Sequence, residues 1–330
     1  MSDPVLLAET TRGPFVESRH FGHAVISRAD GSIVESWGNP TELVFARSAA
    51  KILQALPLVE SGAGTSLSTE RLALACASHS AERRHVEMIS DWLGDLGLDE
   101  HALCCGPQAS RDEALAEEMI KTGEPVTRAF NWCSGKHSGF LTLSKHLGAE
   151  LDYVNIDHPV QLAVREAFED MTGMDSPGFG FDGCSAPNFA TNLSAMARAM
   201  AVIAAAEDRA DVRGKAASEL CRAMIAHPEM VGGEGRVDTE LMRVAREPVA
   251  IKSGAEGFYV AIIPGQKLGI ALKVSDGASR GSEVAIAALL VRLGVLDINH
   301  PVVSGILAQT LTNWAGLAVG SVRPAEGLLA

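Results

Sequence analysis

Runs rich in β-branched and apolar residues, bounded by turn residues, lie near both ends of the chain, while apolar positions at helical spacing fill its middle. His23-Ala24-Val25-Ile26-Ser27 and Ser32-Ile33-Val34-Glu35-Ser36 flank Ala29-Asp30-Gly31. Asp-Gly between two such runs predicts a hairpin. Asn39-Pro40 turns the chain, and Leu43-Val44-Phe45 predicts one more short strand. From about residue 67 to 230 the spacing, with Gly or Pro near the ends, predicts helices over 69–77, 81–93, 112–121, 138–147, 159–171, 193–208 and 212–226. Strands return over 248–252, 258–262 and 267–274. A helix follows over 282–293, and the tail after Pro301 predicts a further helix with a loose end.

Strands at both ends with helices between predict an α/β fold, its sheet built from N- and C-terminal strands beside a mainly helical region. The expected division is one domain, 1–330, with a sheet-forming lobe over about 10–66 and 236–330 and a helical lobe over about 67–235. A crevice between two such lobes is the natural place for a site. No repeat, linker or low-complexity tract interrupts this plan.

Composition narrows the function. A chain of 330 residues with 47% hydrophobic side chains is enough for a packed core. The 28 basic and 41 acidic residues leave a formal charge of −13, with no basic cluster and only 5% aromatics. That balance argues against nucleic acid and anionic membranes as partners. Met1-Ser2-Asp3-Pro4 lacks the cationic start of a signal peptide, and no run of about 18 apolar residues exists to span a bilayer, so the cytoplasm is expected. Six cysteines are too few for a disulfide framework and are expected as core filler, reactive thiols or metal ligands.

The chemistry begins at Ala46-Arg47-Ser48-Ala49-Ala50-Lys51. Residues three apart on a helix are neighbours, so a hydroxyl stands beside an amine. Serine becomes a nucleophile when a base takes its proton, and lysine serves as that base once burial or nearby positive charge lowers its pKa from about 10.4. Arg47 supplies such charge, and a helix N-terminus favours a developing anion. The bland alternative is a capping serine followed by a solvated lysine.

Four other stretches carry candidate groups. Ser78-His79-Ser80 is either a cap between helices or a second hydroxyl facing Ser48. Lys252-Ser253-Gly254 ends a predicted strand, where a substrate backbone can lie along it. Lys121-Thr122-Gly123 matches the Lys-Thr-Gly of penicillin-recognising enzymes in letters, but Lys121 closes a helix with Gly123 as its C-cap. Cys133-Ser134-Gly135-Lys136-His137 and Asp182-Gly183-Cys184 offer two thiolates with His137 or Asp182 for a zinc ion, or else two buried structural cysteines. Gly178 to Gly183 spells a dinucleotide fingerprint without the strand and helix it needs, a coincidence. His227-Pro228-Glu229-Met230 and the glycine-rich run after it are expected as a loop, with a substrate-covering lid as the functional alternative.

Taken together, and in this order, Ala46 to Lys51, Cys76-Ala77-Ser78-His79-Ser80, Cys133 to His137, Asp182-Gly183-Cys184, His227 to Met230 and Gly233-Glu234-Gly235-Arg236 resemble the Rhizobium etli type of L-asparaginase, the asparaginase II family. The resemblance runs from about residue 12 to 275. It implies a fold similar to serine β-lactamases, penicillin-binding proteins and glutaminases, a homodimer, and hydrolysis of L-asparagine to L-aspartate and ammonia. It implies Ser48 with Lys51 as one Ser-Lys pair and Ser80 with Lys252 as a second. It implies a zinc ion on Cys133, Lys136 and Cys184 that assists substrate binding, with Arg47, His137 and Asp182 around the substrate. Glutamine or a β-lactam as substrate is the enzymatic alternative, since one methylene is a small difference for a pocket to read. A zinc-containing amino-acid binder without turnover is the non-enzymatic one.

Overall fold

The hairpin at Asp30-Gly31 forms as expected, but as part of a larger antiparallel sheet. In a computed structural model of the chain, which describes residues 3–329, the strands are β1 (Val5–Arg12), β2 (Phe15–Arg28), β3 (Ile33–Trp37), β4 (Leu43–Phe45), β5 (Phe179–Phe181), β6 (Pro187–Asn192), β7 (Ala250–Gly254), β8 (Phe258–Ile263), β9 (Leu268–Val274), β10 (Gln309–Thr312) and β11 (Ala318–Pro324). The helices are α1 (Lys51–Glu60), α2 (Thr69–Ala75), α3 (Arg83–Asp95), α4 (Glu113–Thr122), α5 (Ser134–His146), α6 (Pro159–Thr172), α7 (Leu193–Ala204), α8 (Val212–Ala226), α9 (Pro228–Val231), α10 (Val237–Val244), α11 (Ser279–Arg292), α12 (Pro301–Leu307) and α13 (Glu326–Leu329). The α/β class follows, with a sheet drawn from both ends of the chain and a helical middle. Met1 and Ser2, part of the chain start considered above, lie outside the described residues. No helix among the described residues is long and apolar enough to cross a membrane.

Two compact units divide these elements. The first comprises the described residues of Met1–Ala49, Thr191–Ala205 and Glu240–Ala330. Its sheet runs β10-β11-β1-β2-β9-β8-β7, with β3 added on β2. Strand β2 is 14 residues long because residues 15–22 pair with β1 and residues 24–27 with β3. The turn between β2 and β3 is fixed by Gly31 at φ 87° and by Asp30, whose carboxylate accepts from the backbone and hydroxyl of Ser32. Helix α7 packs on β2, β8 and β9, and α11 on β1, β8, β9 and β11. The end of the chain is not loose. Strands β10 and β11 form a hairpin that pairs with β1, and only Val322 in them is buried, so no alternation marked them as strands.

The second unit comprises Ala50–Ala190 and Ala206–Thr239. Helix α1 is its axis: it packs on α5, α6 and α8, and its residues from Lys51 to Leu58 are all buried. A helix enclosed on all sides carries apolar residues all round, not on one face. Helix α5 begins at Ser134, four residues before the spacing predicted. Glycine weakens a helix signal, and Gly135 is there for a tertiary reason. A Cβ at that position would collide with the Leu74 carbonyl and lie 2.7 Å from the Leu74 side chain on α2. Lys121 closes α4 at the surface, paired with Glu117, and Gly123 is its left-handed C-cap.

Gly269 on β9 plays the corresponding part in the first unit, since a Cβ there would meet the backbone of α7 at Ala197, Met200 and Ala201. Gly269→Ala is expected to destabilise the protein by about 1–3 kcal/mol through this overpacking. The check is urea unfolding: the midpoint falls with an unchanged m-value, and an unchanged midpoint would contradict the close approach of α7 to β9.

Candidate active site

Lysine is almost never buried, because its ammonium must give up water. Three of the chain's eight lysines are nonetheless nearly inaccessible: Lys51 at 0%, Lys252 at 1% and Lys136 at 2% exposure. They are the three that the sequence motifs single out.

Lys51 opens α1. Its Nζ donates to Ser78 Oγ at 3.0 Å and to the Ala77 carbonyl, and stands 3.1 Å from Cys133 Sγ. Lys136, in the first turn of α5, lies 3.2 Å from Cys184 Sγ. Cys133 and Cys184 share a hydrogen bond that splits their acidities. That bond, helped by the Lys136 and Lys51 ammonium groups against the cost of burial, holds the Cys184 thiol down to about 4. The same bond, together with burial, pushes Cys133 up to about 12. Burial disfavours the Lys136 ammonium, yet the Cys184 and Cys133 sulfurs and the Asp182 carboxylate outweigh it and raise its pKa. Burial, with the Lys136 charge adding to it, drives His137 well below its usual range. The cluster at neutral pH is therefore a thiolate at Cys184, a thiol at Cys133, a charged Lys136 and a neutral His137.

Asp182 and Cys184 sit in the tight turn between β5 and β6. Ser185, at φ 70°, bends it so that its N–H donates to the Asp182 carbonyl at 2.8 Å, while Asp182 N–H donates to the Ala186 carbonyl at 2.9 Å. The Asp182 carboxylate accepts from Asn188 at 3.0 Å. His137 Nδ1 is 2.8 Å from the Tyr153 hydroxyl, which also accepts the Cys104 N–H at 2.7 Å. His137 Nε2 is buried and has no hydrogen-bond partner.

In the first unit, Arg47 takes a positive φ of 50° and leads into a 3₁₀ turn, Arg47–Ala50, that carries Ser48. Lys252 lies on β7, paired across to Val260, and its Nζ donates to the Ser253 carbonyl at 2.9 Å. Two residues on, Gly254 touches that turn: a Cβ there would stand 2.6 Å from the Ala46 carbonyl oxygen and 3.2 Å from Ala49 N. The strand bearing Lys252 thus ends against the turn bearing Ser48.

The structure brings Lys51, Cys133, Lys136 and Cys184 together, with His137 next in the chain and the Asp182 charge felt by Lys136. The hydroxyl it brings to Lys51 is that of Ser78. Ser80 instead donates to the Gly232 carbonyl at 2.9 Å, and its own carbonyl accepts from Arg111 N–H and Ser110. Nothing in the letters Ser-His-Ser separates the two serines; a contact 152 residues away along the chain does. Tyr153 carried no sequence signal, being a lone aromatic outside every motif.

Solved structures similar to the chain include a β-lactamase from Sulfitobacter sp. EE-36, at 15% identity over 82% of this chain and 92% of that one with a TM-score of 0.41. Another is a D-alanine carboxypeptidase from Burkholderia cenocepacia, at 12% identity over 80% and 90% with a TM-score of 0.39. A third is an octameric penicillin-binding protein homologue from Pyrococcus abyssi, at 14% identity over 84% and 74% with a TM-score of 0.37. No curated protein matches. The sequence itself fits the L-asparaginase II family model over residues 8–324, and the chain belongs to that family.

The split acidity of the two cysteines is directly measurable. Metal-free protein at about pH 6 is expected to show ultraviolet thiolate absorbance from one buried cysteine, and Lys136→Met to shift its titration upward. Equal, ordinary titration of Cys133 and Cys184 would contradict the arrangement.

Proposed function

We propose that the protein is an L-asparaginase that hydrolyses L-asparagine to L-aspartate and ammonia through a serine ester. The observation that carries this reading is the buried Lys51 amine bonded to the Ser78 hydroxyl, three residues after Ser48 in a chain of the L-asparaginase II family. Ser48 Oγ attacks the side-chain amide carbon while Lys51, in its neutral form, takes the hydroxyl proton. The carbonyl electrons move onto oxygen and are met by backbone N–H groups of the turn around Ser48. Ser78 relays the proton from Lys51 to the amide nitrogen, the C–N bond breaks, and ammonia leaves an aspartyl ester on Ser48. Water then attacks the ester, giving its proton back along the same path to restore Ser48. In this reading Lys252 adds positive charge that favours the ionised Ser48, and Ser80 holds the Gly232 loop beside the relay. Arg47, Asp182 and His137 contact the charged ends of the substrate.

The residues present also fit zinc. Cys133 and Cys184 sulfurs bond to each other, Lys136 Nζ is 3.2 Å from one of them, and that sulfur already favours the anionic form zinc prefers. Among the described residues no three His, Cys, Asp or Glu side chains group to hold a metal; the third donor here is a lysine. Cys133 and Lys136 must each lose a proton to bind, so affinity is expected to fall as pH falls. When bound, the ion supplies positive charge and Lewis acidity next to Lys51.

Ammonia release tests the reading. L-Asparagine is expected to be hydrolysed, and L-glutamine about 10–200-fold less efficiently if the pocket reads one methylene. Ser48→Ala is expected to lower kcat about 10³-fold or more, and turnover near the parent rate would sink the assignment. Ser78→Ala is expected to cost about 10²–10⁴-fold and Ser80→Ala far less, which separates relay from support. Chelation is expected to raise KM more than it lowers kcat, with zinc restoring it; no change would remove the metal from the scheme.

A further inference from the structure

Two histidines outside the proposed reaction flank the turn that follows Ser78. His79 and His85 are both fully buried, with ring centroids 5.0 Å apart and planes 18° from parallel. Each uses Nδ1 to accept a backbone N–H of that turn: Ala81 N–H donates to His79 and Glu82 N–H to His85, both at 3.1 Å. Each uses Nε2 to reach another segment. His79 Nε2 is 3.0 Å from Ser134 Oγ, next to Cys133, and His85 Nε2 is 2.9 Å from the Glu229 carbonyl.

These contacts fix the chemical state of both rings. A carbonyl only accepts, so His85 carries its proton on Nε2; the Ser134 hydroxyl gives its proton to the Ala129 carbonyl at 2.8 Å, so His79 does too. An imidazolium has no lone pair at Nδ1 and cannot cap a backbone N–H, so the arrangement requires both rings neutral. Burial lowers the His85 pKa in the same sense, with the Glu82 and Glu229 carboxylates opposing and Arg84 assisting.

The turn needs such support. Ala81 stands at φ 56°, a left-handed conformation that alanine adopts only when its surroundings hold it. The two capped amides lie at Ala81 and the residue after it. Just before the turn, Ser78 N–H donates to the Val231 carbonyl and His79 N–H to the Trp132 carbonyl, so the main chain leaves Ser78 in one direction only.

We propose that His79 and His85 are a paired positioning device: through their Nδ1 caps they hold the Ala81 turn and so keep the Ser78 hydroxyl on Lys51. The pair acts through Ser78, and this rests on the relay assigned to Ser78 above. Three segments far apart in the chain, the Ser78 turn, the start of α5 and the residues around Glu229, are stapled together by two rings.

Asparagine and glutamine separate the two ends of the ring, because an Asn carbonyl occupies the place of Nδ1 and a Gln side chain reaches the place of Nε2. Full-length His79→Asn and His85→Asn keep the turn caps; His79→Gln and His85→Gln lose them. Ammonia release from L-asparagine is expected to drop about 10²-fold in kcat with little change in KM for the Gln variants, and to stay within about threefold for the Asn variants. A merely structural role predicts that Asn and Gln lower the melting temperature alike and leave kcat per folded molecule unchanged, and that result would overturn the proposal. A second readout needs neither activity nor mutation. Nitrogen-15 histidine spectra of the parent protein are expected to show both rings as the neutral Nε2–H tautomer at about pH 6, where an ordinary histidine is mostly protonated. Finding either ring charged, or protonated on Nδ1, overturns the proposal even if the protein is an active asparaginase. A parent protein with the expected tautomers but no ammonia release removes the proposed function and leaves the capped turn standing without its catalytic purpose, which overturns the positioning role alone.

Discussion

A buried ammonium group without acceptors is among the least stable features a fold can hold, and this chain buries three. Their neighbourhoods are what the surrounding structure is arranged to supply. Lys51 is answered by a hydroxyl, a carbonyl and a thiol, and Lys136 by a thiolate whose own acidity depends on the lysine. Each partner arrives from a different element: Ala77 and Ser78 from the end of α2, Cys133 from the cap of α5, Cys184 from the turn between β5 and β6. Remove one and an uncompensated charge remains inside. The same mutual dependence makes the cluster chemically useful, since it keeps an amine, a hydroxyl and a soft anion dry and in contact.

Bringing those elements so close demands unusual backbone. Five non-glycine positions have positive φ among the described residues, and three of them, Arg47, Ala81 and Ser185, stand at Ser48, Ser80 and Cys184. Each such residue costs about 1–3 kcal/mol and survives only where its surroundings over-determine it. The surroundings are visible in each case: the Ala49 N–H to Ala46 carbonyl bond after Arg47, the histidine caps at Ala81, and the paired hydrogen bonds across Ser185. Strain gathers where three motifs must present a side chain at an angle that regular structure does not offer.

That division explains what the sequence made legible. Residue types that chemistry requires, such as the three lysines and the two cysteines, were recognisable because few other residues do their work. Helices with clean spacing, among them α6 and α8, were legible within a residue or two. Strands β10 and β11 were not, because an exposed edge hairpin needs no alternation. The start of α5 was hidden by Gly135, whose reason is a neighbour on another helix, and Ser78 could not be told from Ser80 without the Gly232 contact.

The glycine-rich run after Met230 shows how far a local pattern misleads when its cause is tertiary. Glycines after a Pro-containing turn suggest a lid, but Pro228, Met230 and Val231 are buried in the short helix α9. Gly233 takes φ 105°, and a Cβ there would lie 2.6 Å from Ser80 Cβ and 2.7 Å from Glu82 Oε1. The next residue, Glu234, donates its N–H to that Glu82 carboxylate at 2.7 Å, while Arg84 bonds both Glu82 and Glu234. Glycine is needed here for contact, not for mobility: any side chain at 233 would push the segment off Ser80 and break the Glu82 bond that anchors it. A segment held this way supports the Ser78 turn from the side that the histidines leave open.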